Sequence, residues 1–255
     1  LAARVAALSR LGRGWVRLAY GRPTLAILVS QHAPADADPL RPHAVRAIPN
    51  GIPDPPDPAT FRAPPGETAA VPVILYLGAV TREKGIDVLI EALRQLRARH
   101  RAFRAVLAGP IPSPGYGQRL RLALSADGLA GCVSLPGALE GDAKWRALAN
   151  ADLFCFPSLT DVFGLVALEA MAMRVPIVGS DAGGLREMVE HGVTGLRVPP
   201  GDPVALADGL ERLLDDPGRR RTMGDAGYAR FRSRFTLAHW RSAMEDALAE
   251  AAADR

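Results

Sequence analysis

Lysine is nearly missing from this sequence: only Lys84 and Lys144 stand among 31 lysines and arginines. Such an arginine bias, beside abundant alanine and glycine, reads as the mark of a GC-rich genome rather than of a nucleic-acid surface. No basic run is interleaved with aromatic residues, so nucleic acid is not expected as a partner. Cysteine is equally scarce. Cys132 and Cys155 lie far apart, form no CxxC pair and sit in apolar surroundings, which points to core residues in a reducing compartment and argues against a zinc site. The histidines His32, His43, His100, His191 and His239 are scattered, with neither metal-ligand spacing nor a Ser/His/Asp set. No stretch approaches the ~20 apolar residues of a membrane span, and none reads as a signal peptide. The chain opens on Leu1 rather than Met, which reads as part of a longer reading frame.

Aromatics make up only 5% of a chain that is 48% hydrophobic, so alanine, valine and leucine must do most of the core packing. At 255 residues with a net charge of +4, the chain suits one large domain or two small ones. Residues 1–20 carry apolar residues at helical spacing with Arg4, Arg10, Arg13 and Arg17 between them, and predict a basic amphipathic helix. Short strands are expected at 24–29 and 44–48, with a proline- and aspartate-rich loop at 31–43 between them. Residues 53–65 are dense in proline and predict a stiff extended linker.

Beyond the linker, short apolar strands alternate with amphipathic helices. Strands are expected at 71–77, 103–108, 133–135, 153–156, 176–179 and 195–198. Helices are expected at 86–99, 118–127, 143–150, 164–173, 185–189, 203–214, 217–232 and 236–252. This alternation predicts an α/β class: a Rossmann-like, doubly wound parallel sheet covered on both faces. Its strands end in Gly, Pro or Ser at the carboxyl edge, where open α/β sheets bind ligands.

Three loops on that edge carry candidate chemistry. In the first, 78–85, Gly78 and Gly85 permit a tight turn, and Arg82 and Lys84 set cations beside a helix start that already favours phosphate. A plain solvated loop is the alternative. The second, 157–172, holds Asp161 in a loop and Glu169 inside the next helix among apolar neighbours. A carboxylate there needs a partner, either a ribose diol or an arginine. In the third, Gly183 and Gly184 allow close approach of a ligand or of another backbone.

Taken together, Asp161, Glu169-Ala170-Met171-Ala172, Pro176-Ile177-Val178, Asp181, Gly183-Gly184, Glu187 and Gly192-Val193-Thr194-Gly195-Leu196 resemble glycosyltransferase family 4. Gly78, Lys84-Gly85 and Ile48-Pro49-Asn50-Gly51 fit the same pattern, and the match runs from Ile48 to Leu214. The resemblance implies a GT-B fold of two Rossmann-like domains. The amino-terminal one mainly binds acceptor, and the carboxyl-terminal one binds the donor. On this basis residues 1–52 are a remnant of the first domain, 53–65 the linker, 66–235 the donor domain and 236–255 a helix bracing the first domain.

The resemblance further implies transfer from a UDP-, GDP- or ADP-sugar to a carbohydrate or lipid-linked acceptor, with retained anomeric configuration and no metal or other cofactor. It assigns Asp161, Lys84 and Arg82 to catalysis. Donor binding falls to Gly78, Lys84, Asp161, Phe163, Gly164, Leu165 and Glu169, with Glu169 on the ribose and Asp161 near the sugar. Two positions depart from the family pattern: Asp161 stands where Glu is usual, and Ala79 where Arg is usual. Arg82 is expected to supply the missing cation. A non-catalytic nucleotide-sugar-binding module or partner subunit is the alternative; the spacing of Asp161 and Glu169 argues against an epimerase of the same fold. Cell-surface polysaccharide or glycolipid synthesis implies a cytoplasmic location. The helix over 1–20 suits either the inner membrane face or packing on the missing domain, the latter being favoured.

Overall fold

The computed structural model describes residues 24–31, 42–64 and 71–253. The helix expected over 1–20 and most of the 31–43 loop lie outside the described residues. Strands β1 (Leu25–Leu28) and β2 (Ala44–Ala47) pair in parallel, Leu25 opposite Ala44, as a separate two-stranded sheet. There follow α1 (Pro58–Phe61), β3 (Val73–Leu77), α2 (Ile86–Ala98), β4 (Arg104–Ala108), α3 (Pro114–Ala126) and β5 (Val133–Gly137). Next come α4 (Gly141–Ala149), β6 (Leu153–Phe156), α5 (Leu165–Ala172), β7 (Ile177–Ser180), α6 (Leu185–Met188) and β8 (Gly195–Val198). Three helices close the chain: α7 (Pro203–Leu214), α8 (Pro217–Arg234) and α9 (Leu237–Ala253).

β3 to β8 form one six-stranded parallel sheet in the order β5-β4-β3-β6-β7-β8. Strand order reverses between β3 and β6, the switch point at which open α/β sheets take up ligands. Alternate strand residues serve opposite faces. Ile74, Tyr76, Leu153 and Cys155 pack into the layer of α2, α3 and α7, whereas Leu75, Leu77, Phe154 and Phe156 pack under α5 and α8. Burial on both faces explains why these strands are apolar throughout. Helix α2 buries Ile86, Leu89, Ile90, Leu93 and Leu96, the stripe expected from its spacing, against α7 and the sheet.

Helix starts follow a repeated signal. Asp57, Ser113, Asp202 and Asp216 each cap a helix through a side-chain oxygen, and each is followed by proline at the first helical position. Two expectations change accordingly. Helix α3 begins at Pro114 rather than near 118, because the Ser113 cap and the proline outweigh the weak propensity of Gly115 and Gly117. The proline-rich segment is not extended throughout, since Asp57 caps the one-turn helix α1 within it.

The chain enters and leaves the large sheet unit at neighbouring points. Ile52 N donates to Phe235 O at 3.0 Å and Leu237 N donates to Ile52 O at 2.8 Å. Further on, Arg46 of β2 pairs with Glu250 of α9. Among the described residues no helix is long and apolar enough to cross a membrane.

Candidate functional site

The pairing of β3 with β6 stops early. Ile74 faces Leu153 and Leu75 faces Phe154, but β3 runs on to Leu77 beside β4 alone. The two strand ends therefore part at the carboxyl edge. A cavity of about 220 Å³ opens there, lined by Tyr76, Gly78, Lys84, Ser158 and Asp161, together with Phe163, Gly164, Leu165 and Val166 at the start of α5. Six residues singled out in the sequence thus share one cavity: Gly78, Lys84, Asp161, Phe163, Gly164 and Leu165.

Lys84 Nζ lies 2.6 Å from Asp161 Oδ2, joining the first loop to the second. The opening turns of α2 and α5 also point their unpaired backbone N–H groups towards the carboxyl edge. Ser158 Oγ is buried in the cavity wall without a hydrogen-bond partner. Tyr76 lies beneath the first loop, its hydroxyl donating to Ala79 O at 2.7 Å. Burial, and to a lesser degree the nearby Asp161 carboxylate, pushes its pKa above the ordinary tyrosine range, so it remains a donor.

Glu169 is not in the cavity wall but one turn beyond it. It follows Leu165 by four residues and Val166 by three, which puts it on the cavity side of α5, with side chains tilted back towards the helix start. Its Oε1 accepts from Lys144 Nζ of α4 at 2.8 Å. Its Oε2 is buried with no hydrogen-bond partner. The lysine also rests 4.5 Å from the centre of the Trp145 ring. Sequence reasoning gave no role to Lys144, Tyr76 or Ser158; for Lys144 the available signal was the rarity of lysine in this chain.

Arg82 is turned away from this cluster. Its Nε pairs with Asp87 at 3.1 Å, Asp87 also accepts from the Tyr116 hydroxyl at 2.7 Å, and none of the three lines the cavity. A carboxylate in the first turn of α2 is the nearer partner for a guanidinium on that loop.

The glycines act on backbone. Gly85 has φ +72°, and a Cβ there would stand 1.9 Å from Pro157 O. Gly183 has φ +51°, and its Cβ would stand 1.6 Å from Asp161 O, while Gly184 N donates to Val162 O at 2.9 Å. The close approach allowed by the glycine pair is thus that of the second loop. Asp181 is held by Arg186 and Arg197 at 3.1 and 2.9 Å. Glu187 Oε1 accepts from Ser30 Oγ at 2.9 Å, tying the third loop to the residues after β1.

A larger cavity of about 800 Å³ lies between the proline-rich segment and α8. Of the arginines that line it, Arg232 pairs with Asp54, and Arg174 pairs with Asp225 outside the lining and stacks 4.1 Å from the Tyr228 ring centre. Size therefore does not decide the site. The switch-point cavity, with the unpartnered Ser158 Oγ in its wall and the Lys84–Asp161 pair beside it, does.

A parallel sheet of this order with a charged cavity at its switch point defines a Rossmann-like α/β ligand-binding unit. A family model for glycosyl transferases group 1 matches residues 59–230, and the chain belongs to that family. It is 36% identical over 154 residues to alpha-D-kanosaminyltransferase of Streptomyces kanamyceticus, covering 60% of this chain and 39% of that protein. It is 35% identical over 221 residues to D-inositol 3-phosphate glycosyltransferase of Xylanimonas cellulosilytica, covering 81% of this chain and 51% of that one. The chain thus spans about half, or less, of the length of these curated relatives. Among solved structures, Anabaena HepE in complex with UDP superposes with a TM-score of 0.81 at 26% identity, over 96% of this chain and 69% of that one.

Proposed function

We propose that this chain is the donor-binding half of a retaining glycosyltransferase of family 4, taking a UDP-, GDP- or ADP-sugar as donor for a carbohydrate or lipid-linked acceptor. The observation that carries this reading is the joining of Lys84 to Asp161 at the switch point, with Glu169 one turn behind on α5. The diphosphate lies against Lys84 and the opening turns of α2 and α5. The ribose reaches Glu169, and the sugar lies by Asp161. As the anomeric bond breaks, charge builds on the β-phosphate, and a fixed ammonium with oriented N–H groups stabilises it without a metal. The buried oxygens of Ser158 and Glu169 that lack partners support a polar ligand here.

On this reading residues 1–52 belong to an acceptor domain, 53–65 join it to the donor domain at 66–235, and 236–255 brace the first domain. The contacts of Glu187 with Ser30 and of Glu250 with Arg46 support that division. A thermal-shift screen against UDP, GDP and ADP checks the proposal: one of them should raise the melting temperature, and no shift with any of the three would sink it.

A second reading, a nucleotide-sugar-binding module without transferase activity, is favoured by one observation. With Ala79 in the first loop and Arg82 bound to Asp87, Lys84 is the single cation lining the cavity among the described residues. Donor hydrolysis separates the two readings: turnover by the protein supports the enzyme, and binding without turnover supports the module.

A further inference from the structure

We propose that Lys144 is a positioning residue that holds Glu169 by one oxygen only, so that the other stays open to a ribose hydroxyl; this rests on the nucleotide-site reading above. Nζ of Lys144 engages Oε1 at 2.8 Å and leaves Oε2 buried without a partner. A carboxylate oxygen buried in that state is costly unless a donor reaches it, and a ribose hydroxyl is such a donor. The lysine is itself fixed, resting on the Trp145 ring with its side chain only 25% exposed.

The choice of cation points the same way. Lysine accounts for two of 31 cationic residues, and both lysines fall on the carboxylates Asp161 and Glu169. Elsewhere arginine does the pairing, and it can fill a partner by itself: Arg46 reaches Oε2 of Glu250 through Nε and Oε1 through Nη2. Glu211 has Oε1 taken by Arg101 and Oε2 by Arg99, each at 2.6 Å. Arg99 Nη1 also spans to Asp208 at 2.6 Å. A guanidinium is a planar fork that tends to occupy both oxygens of a carboxylate, whereas an ammonium is a point charge that can hold one. In a chain that otherwise uses arginine, lysine stands where double capture would close the site.

The inference is tested by titration calorimetry with UDP, GDP and ADP and with their 2′,3′-dideoxy counterparts, on the wild-type protein, Lys144→Arg and Lys144→Met. The quantity read is the affinity ratio of ribose to dideoxy ligand. A hydrogen bond to a charged acceptor predicts a wild-type ratio of about tenfold or more. Lys144→Arg, with an unchanged melting temperature, should bring the ratio close to one. Lys144→Met should fall between the two, because Glu169 then keeps a free oxygen but loses the contact that fixes it. Any other ordering overturns the inference, above all an arginine variant that behaves as wild type. Wild-type binding of nucleotides with no ribose preference overturns it too, while sparing the nucleotide-site reading. No wild-type binding of any nucleotide removes that reading and this inference together.

Discussion

Lys84 and Asp161 meet at 2.6 Å although 77 residues separate them, and the backbone explains how. Gly85 lets the first loop lie against Pro157, and Leu159 N donates to Glu83 O at 3.1 Å. Two loops from the two sides of the switch point are therefore joined along their main chains, and the ion pair sits on that seam.

Replacing Lys84 by alanine should weaken diphosphate binding by about 1.5–3 kcal/mol, the worth of one hydrogen bond to a charged group. Calorimetry with the nucleotide that gives a thermal shift reads this directly. Unchanged affinity would show that the phosphates lie elsewhere.

Gly183→Ala should damage the site more than the fold. The left-handed backbone alone costs ~1–2 kcal/mol for a residue with a Cβ. The new methyl would also meet Asp161 O at 1.6 Å, so the second loop must move. The expected result is a lowered melting temperature with helical content retained and nucleotide affinity lost. Wild-type affinity in the variant would mean that the position of Asp161 is immaterial.

Leu93→Ala should cost ~2–5 kcal/mol of unfolding free energy, as for a fully buried leucine in a close-packed layer. Urea denaturation measures it. Because Leu93 lies on the inner face of α2 and not in the cavity, affinity measured well below the melting temperature should stay near the wild-type value.

Glu211 supplies a pH dependence with a definite sign. Its hydrogen bonds to Arg99, and then to Arg101, hold its carboxyl below the ordinary glutamate range. A depressed folded-state pKa stabilises above the unfolded value, and that stability is lost as pH falls through the folded value. Glu211→Gln should therefore melt earlier than wild type at neutral pH, with the gap closing in acid. A gap that is constant with pH would assign the effect to packing between α7 and α2.

Features set by local patterning could be read from the chain. The stripe from Ile86 to Leu96 and the glycine or proline endings of the strands follow from side-chain periodicity and turn chemistry, and both stand in the fold. What escaped reading depended on distant partners. Gly183 and Gly184 left ligand and backbone open as alternatives, because the group that approaches them comes from the second loop. Arg82 sits on a helix-initiating loop, yet Asp87 and Tyr116 draw it aside, and the strength of Asp87 as a competitor shows only in three dimensions. The pairing of Lys144 with Glu169 joins α4 to α5, helices on either side of β6, and no spacing rule predicts that contact.

The twin hydrogen bonds of Ile52 to Phe235 and Leu237 bear on how the molecule can be rearranged. A chain that comes in and goes out through one doorway can be severed at both jambs and respliced with every strand pairing in the block left intact. The block is in that sense a cassette: exchanged for that of a relative, it should carry its nucleotide preference into the host and leave the host's remaining architecture undisturbed.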